Sequence, residues 1–504
     1  MSKLTSLILV ILTGIIFYFG IQYQMHGDIG FHTDIARDFI VMHDMQRAGI
    51  TLVGPRADWK GLFHGPLWFY FNYPAFVLGH GNPVVVGWFW VLCSLIFPGL
   101  YYFLFKDIIG KGGALIFSLL CVTVLMQYVQ EFYNPVGATF MIPILVYAMY
   151  RYFKTHKMLH ALLMFFVAGL IVQFQLAIGI PMTILVTLFL LKEVVRHKKY
   201  THLFSMLIIL IPLSTFIVFE VRHGFLQTQA VINHFHGDEL RYIPSLYDRA
   251  KNRMVVAFTT GAGFLPGVLS DFNILGTLFM AFVSGSIFTK KKKHTEILSI
   301  VLFLYGGFYL ISFVHSGFVL NHEFISLLFF PLLFFTALYE HTNKKVMHVL
   351  LIVILLANIS YFHKRAQGVE AFQNEHKSWK FQLAVGKAIY EHADTQDVGV
   401  FVYAPDIYAY APKYAALYAS TLYPDKTMHF STKLPETFIV YEPPPKDKPE
   451  LNGTYFRQWQ MGLTRPADET YELNGGFRLE KYLLSEEEQN VPHDPLIDDW
   501  VSQR

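Results

Sequence analysis

The sequence predicts an α-helical polytopic membrane protein of about 11 transmembrane helices, followed by a small C-terminal α/β domain. Three observations predict it. Apolar stretches of near-bilayer length recur from Leu4 to Tyr361. Only 15% of the 504 residues are charged and 54% are hydrophobic, with a mean hydropathy of +0.38; a soluble chain carries roughly a quarter charged residues. From about Arg365 the composition changes to that of a soluble domain.

The first apolar run, Leu4–Tyr23, follows Lys3 and lacks a small-residue cleavage pattern after it, so it is expected to remain as a span. The others lie at Pro83–Phe105, Gly113–Gln130, Val136–Phe153, Leu159–Gln175, Ile178–Val195, Leu203–Phe219, Phe272–Phe288, Ile297–Phe313, Phe324–Tyr339 and Val346–Tyr361. Short basic links separate them: Lys106 and Lys111; Arg151, Lys154 and Lys157; Lys192, Arg196, Lys198 and Lys199; Lys290–Lys293; Lys344 and Lys345. If the helices alternate, all these links share a face with Lys3, and the positive-inside rule makes that face cytoplasmic. A multi-pass plasma (inner) membrane protein is expected, with the N-terminus inside and everything after about Tyr361 outside. The long outer segment Glu220–Asp271 carries Arg222, Arg241, Arg249, Lys251 and Arg253, which an anionic ligand would explain.

Residues 1–364 therefore read as the membrane domain, with a first outer loop at 25–82, and residues 365–504 as the extracytoplasmic domain. In the latter, Val369–His392 has helical spacing, Val398–Tyr403, Thr437–Tyr441 and Phe477–Leu484 read as strands, and Ile407–Leu422 as a helix. Cys93 and Cys121 both fall in apolar runs, which excludes a disulfide framework and a thiolate metal site. A net charge of +3 is too small for nucleic-acid binding.

Chemistry concentrates in the polar loop Gly30–Pro74, because charge beside membrane spans is costly unless it lines a cavity or serves a reaction. Asp34 and Asp38 stand one helical turn apart with Arg37 between them. One carboxylate suits proton abstraction from a hydroxyl while Arg37 holds its neighbour or a phosphate. The same stretch also suits an amphipathic surface helix with Phe31, Ile35, Phe39 and Met42 towards lipid. Lys60 and His64 suit a phosphate, and the following run Trp68–Tyr73 reads as an interfacial aromatic belt. Glu131 and Asn134 share a turn that Asn134-Pro135 also explains structurally. Arg222 and His223 close a span at the outer face beside Glu220, where Arg222 suits bidentate phosphate binding. His234, His236, Asp238 and Glu239 resemble a metal cluster on paper, though such spacing is common in loops. His322 and Glu323 open the tenth span, where an acid also suits a helix N-terminus.

The elements Asp34-Ile35-Ala36-Arg37-Asp38, Gly54-Pro55-Arg56, His64-Gly65-Pro66-Leu67, Asn134-Pro135, Glu220-Val221-Arg222-His223-Gly224 and Asn321-His322-Glu323 together resemble bacterial protein O-mannosyltransferase-like enzymes and lipid A aminoarabinose transferases. Both are families of the C-type glycosyltransferase superfamily. Where many relatives have Asp-Glu, this chain has Asp34-Ile35. The resemblance implies the C-type glycosyltransferase fold and a hexosyl- or pentosyltransferase. It implies a polyprenyl-phosphate sugar donor, transfer with inversion on the outer face, and a lipid, glycan or protein acceptor among membrane lipids. It implies Asp34 as the base and Arg56, Lys60, His64, Arg222 and His223 as donor-phosphate ligands. Arg37, Asp38, Glu131, Asn134, His322 and Glu323 would support the site or bind the acceptor, and a divalent cation, Mg2+ or Mn2+, is the cofactor to look for. The alternative is a multi-pass transporter or lipid flippase for glycan precursors. Transporters place charge mid-span near broken helices and show repeat symmetry; here charge collects at one face.

Overall fold

The computed structural model describes residues 1–57, 59, 61–236, 244–261, 295–315, 317, 321–339, 342–405 and 408–497. The helices are α1 (Lys3–Gly20), α2 (Thr33–Ala48), α3 (Leu67–Leu78), α4 (Pro83–Phe105), α5 (Gly110–Leu125), α6 (Asn134–Thr155), α7 (Met158–Phe174), α8 (Leu176–His197), α9 (Ser214–Arg222), α10 (Leu226–His236), α11 (Leu246–Gly261), α12 (Thr295–Ser312), α13 (Phe329–Leu338), α14 (Lys344–Gln367), α15 (Trp379–Glu391) and α16 (Tyr410–Ala419). The strands are β1 (Asp397–Tyr403), β2 (Thr427–Phe430), β3 (Glu436–Tyr441), β4 (Glu469–Glu472) and β5 (Arg478–Leu483).

Among these, α1, α4, α6, α8 and α14 are long and apolar enough to cross a bilayer, and α5, α7 and parts of α12 and α13 form shorter apolar helices. Leu92, Leu95, Ile96, Leu100 and Phe103 on α4, and Ile180, Ile184, Leu188 and Leu191 on α8, are exposed, as lipid-facing stripes of a membrane protein should be. The expected single span Leu203–Phe219 is broken. A 3-10 helix, Tyr200–Leu210, meets α9 at 60°. Pro212 sits at the break, where it lacks the N–H that a continuous helix would use. The expected span Phe272–Phe288 and the basic run Lys290–Lys293 lie outside the described residues.

Contacts divide the chain into two compact units. The first comprises Met1–Ile21, Ile50–Asn72 and Phe89–Ala366. In it α6, α7 and α8 form a closely packed antiparallel row. A Cβ on Gly179 would lie 2.3 Å from the Val172 Cα, and one on Gly137 would lie 2.4 Å from the Phe174 ring. Small residues allow this approach, which is how helices associate where lipid removes the hydrophobic driving force.

The second unit comprises Gln22–Gly49, Tyr73–Trp88 and Gln367–Arg504. Its five-stranded sheet runs β2-β1-β3-β5-β4, with β1 parallel to both β2 and β3 and the β3–β5 and β5–β4 pairs antiparallel. The central strands are buried on both faces. Val398, Val400, Val402, Phe438, Val440 and Leu479 pack under α15 and α16, and Phe401, Ile439, Tyr441 and Tyr482 form a second core with Phe456 and Met461. The expected helix over Val369–His392 is two pieces, Val369–Phe372 and α15, and Ser378 caps the second by accepting the Phe381 N–H. Strands β2 and β4 carry no four-residue apolar pattern and escaped the sequence reading. An ionic cluster ties β5 to the start of β3: Lys481, 2% exposed at its side chain, lies 3.0 Å from the Glu436 carboxylate and also pairs with Asp394.

Candidate functional site

Asp34, Arg37 and Asp38 lie on α2, in the second unit. The helix starts there because His32 Nδ1 accepts the Asp34 N–H at 3.3 Å, and it stops at Gly49, whose φ is 80°. Its apolar face is not lipid-facing as the amphipathic reading had it. Phe31 lies 4.8 Å from Trp379 and 5.7 Å from Phe39, and Phe39 lies 5.3 Å from Tyr414, whose hydroxyl donates to Gly81 O at 2.6 Å. Rings of the second unit thus hold α2 in place. On the polar face, Arg37 Nε and Nη2 donate to Asp38 Oδ1 at 3.1 and 2.9 Å, and Nη1 donates to Asp34 Oδ1 at 2.9 Å. Burial opposes the Arg37 charge, but Asp38 and then Asp34 outweigh it and raise the guanidinium above its usual value. Asp38 is 4% exposed, whereas the Asp34 side chain is 63% exposed. One aspartate is a buried anchor and the other faces solvent.

Six residues upstream, Asp28 is fully buried, and Ser378 Oγ, the Lys380 N–H and the Ile29 N–H all donate to its carboxylate, at 2.7, 3.1 and 2.9 Å. It closes the start of α15 and is satisfied by the fold. Nothing in the sequence marks it, because Ser378 and Lys380 lie some 350 positions away.

In the first unit, residues 54–57 pair with residues 62–64 as the two arms of a hairpin. Arg56 bridges Phe63, Gly54 N donates to His64 O at 2.8 Å, and Ala57 N donates to Leu62 O at 2.9 Å. The hairpin is tied to the break between α7 and α8: Gly65 N donates to Gln173 O at 2.9 Å, and His64 Nδ1 accepts the Leu176 N–H at 3.2 Å. Gln173 also donates to Pro212 O and Thr215 Oγ1. Phe63 N donates to Gln227 Oε1 at 2.9 Å, and the Phe63 ring packs edge-on against Phe219, 6.1 Å away. The strand holding Arg56 and His64 is thereby joined to the end of α9, which carries Arg222 and His223. Both of these are exposed, and His223 Nδ1 lies 2.9 Å from Phe219 O. Among the described residues, neither the Arg56 nor the Arg222 side chain has a hydrogen-bonding or ionic partner.

The other expected residues are placed as follows. Asn134 begins α6 and donates to Phe174 O at 2.9 Å; Glu131 lies half-buried in the preceding turn. Glu220 accepts the Gln227 and Thr228 N–H groups at 2.9 and 3.0 Å and so caps α10. Lys60 lies outside the described residues, as do Asp58, Asp238 and Glu239; His322 and Glu323 fall in the 3-10 helix Asn321–Leu328, with their side chains outside the description. His234 stacks on Trp59 at 3.6 Å and His236 Nδ1 lies 2.8 Å from Ile232 O, so the two do not converge on a metal. Arg253 does not wait for an anion: it is 2% exposed and donates to Ser312 O, His315 O and Gly317 O beyond the end of α12. Asp34 and Asp38 do not fit a shared Mg2+ or Mn2+, because the Arg37 cation already bridges them. A groove of about 660 Å3 in the second unit, lined by His376, Glu442, Pro443, Pro444, Lys446 and Lys448 among others, contains none of the expected residues.

No family model and no curated protein matches the sequence. In structure, the chain is similar to ArnT from Cupriavidus metallidurans bound to undecaprenyl phosphate, with a TM-score of 0.59 and 10% identity, over 96% of this chain and 99% of that one. It also resembles the oligosaccharyltransferase of Archaeoglobus fulgidus in complex with zinc and sulfate, with a TM-score of 0.44 and 10% identity, over 86% of this chain and 68% of that one. The likeness to ArnT spans nearly the whole of both chains and shows a shared fold.

Proposed function

We propose that this chain is a membrane-embedded inverting glycosyltransferase. It moves a sugar from a polyprenyl-phosphate donor to an acceptor hydroxyl or amine on the extracytoplasmic face. The observation that carries the reading is the end-to-end fold likeness to ArnT, a protein crystallised with undecaprenyl phosphate. The exposed Asp34 carboxylate takes the acceptor proton as the acceptor oxygen or nitrogen attacks the anomeric carbon. The anomeric C–O bond breaks, and its electron pair leaves with the lipid phosphate. Arg56, Lys60, His64, Arg222 and His223 stabilise that anion, so no protonating acid is needed. Arg37 and Asp38 hold the base, and Glu131, Asn134, His322 and Glu323 serve the acceptor side.

The test is Asp34→Asn in membranes supplied with a panel of undecaprenyl-phosphate sugars. Loss of a general base is expected to slow transfer by roughly 100-fold or more, with the protein still folded by size-exclusion chromatography. Unchanged transfer removes Asp34 from the base role. Translocation of a labelled lipid with no release of free polyprenyl phosphate, in the wild type, would favour the flippase instead.

A further inference from the structure

At the other end of the helix row, three side chains that the proposed reaction does not use converge. Glu193 and His197 lie one turn apart on the last two turns of α8, and His156 is the residue that ends α6 in the left-handed conformation, with φ 44°. Their candidate ligand atoms all fall within 4.8 Å of one another. The two imidazole rings are 3.9 Å apart, and His197 Nε2 stands 3.5 Å from Glu193 Oε2. Glu193 is 1% exposed, yet neither of its oxygens has a hydrogen-bond partner among the described residues, and His156 Nδ1 is buried and equally unpartnered.

A carboxylate in this state is expensive unless something neutralises it. The i, i+4 spacing puts Glu193 and His197 on one face, and 3.5 Å is too long for a good hydrogen bond. It is close to the roughly 3.4 Å that separates two ligands of a tetrahedral zinc with metal–donor bonds of about 2.1 Å. Closing a spacing of 4.8 Å to that value takes about 1.4 Å of side-chain movement, shared between the donors. Two imidazoles and one carboxylate suit zinc-type ions rather than Mg2+ or Ca2+. We propose that His156, Glu193 and His197 bind one zinc-type divalent cation, with water as the fourth ligand, clamping the lysine-rich ends of α6 and α8. Lys199, which donates to His156 O at 3.0 Å, and His202, held by the Tyr152 hydroxyl at 2.9 Å, stand beside the cluster. The Lys199 ammonium opposes a dication, so binding is weaker than at a thiolate site.

The full chain, purified in detergent without a polyhistidine tag and stripped with chelator, is titrated with Co2+ and then Zn2+. Expected are one equivalent of Co2+ with the visible absorption of a four-coordinate N/O site, its displacement by Zn2+, and a higher melting temperature with Zn2+. Glu193→Gln and His197→Asn should each weaken Co2+ binding by at least about 100-fold. X-ray absorption of the zinc-loaded wild type needs no variant and should show two imidazoles. Absence of stoichiometric Co2+ in the wild type, equal binding by Glu193→Gln, or a shell with fewer than two imidazoles overturns the site and leaves Glu193–His197 as an ion pair only.

Discussion

The two halves of the first polar loop handle charge in opposite ways. In the first, α2, Arg37 lies between two carboxylates and the fold supplies all three groups. In the second, the hairpin 54–65, backbone and amide hydrogen bonds do the holding, and the half-buried Arg56 has no acceptor among the described residues. Arginine is the residue suited to grip a phosphate with a planar fork, and a partly buried cation without a partner is unfavourable until an anion arrives. The carboxylate half is assembled by the protein; under the proposed function, the donor phosphate would complete the cationic half.

Removing Arg37 breaks this comparison most severely. Arg37→Met takes the guanidinium away from the carboxylate of Asp38, 4% exposed, at an expected cost of about 3 kcal/mol. Asp34→Asn severs only the exposed contact and is expected to cost less than about 1 kcal/mol. Thermal unfolding of the purified variants measures both. Equal losses would show that Asp34 is as structural as Asp38, and would take it out of contention as a solvent-facing base.

The arginines of the first unit sharpen the contrast. Arg253→Ala strips the donors from three carbonyls beyond α12 and is expected to destabilise by about 2 kcal/mol or more. Arg56→Ala has no such contacts to lose. Its melting temperature should stay that of the wild type, while the donor KM rises roughly tenfold, from about 1.5 kcal/mol of charge-assisted hydrogen bonding. A destabilised Arg56→Ala with unchanged KM would reverse the roles assigned to the two halves.

Much of this was legible in the residues. The apolar runs located α4 at Pro83–Phe105, and the strand readings found β1, β3 and β5; in β1 and β3, burial on both faces demands near-continuous apolar residues. The edge strands Thr427–Phe430 and Glu469–Glu472 were not legible, since an exposed edge does not need that pattern. The bend at Pro212 was hidden in an unbroken apolar run. Asp34 and Arg37 drew attention as charge in an apolar chain. Asp28, Gln173 and Gln227 did not, because their meaning lies in groups far along the chain, among them the backbone N–H groups of Lys380, Leu67 and Phe63. Glu193 and His197 were passed over inside a lysine-rich link, where charge reads as topology.

The smallest expected effect concerns two buried carboxylates of the second unit. Burial raises Asp28, and the donors Ser378, Lys380 and Ile29 only partly offset it. Its folded state therefore holds a proton more tightly than the unfolded chain does. Its contribution to stability is present at low pH and is lost as pH rises through the folded value. Glu436 is the reverse. Burial pushes it up, but the Asp394 and Thr395 N–H groups, the Thr395 hydroxyl and Lys481 bring it below the usual carboxylate value. Its contribution is present above that usual value and is lost on acidification. Each tenfold change in proton affinity is worth about 1.4 kcal/mol, so melting temperatures from acid to neutral pH can separate the two. The wild-type advantage over Asp28→Asn should shrink with rising pH, and the advantage over Glu436→Gln should grow. Slopes of the same sign would mean that one of the two carboxylates is not held as described.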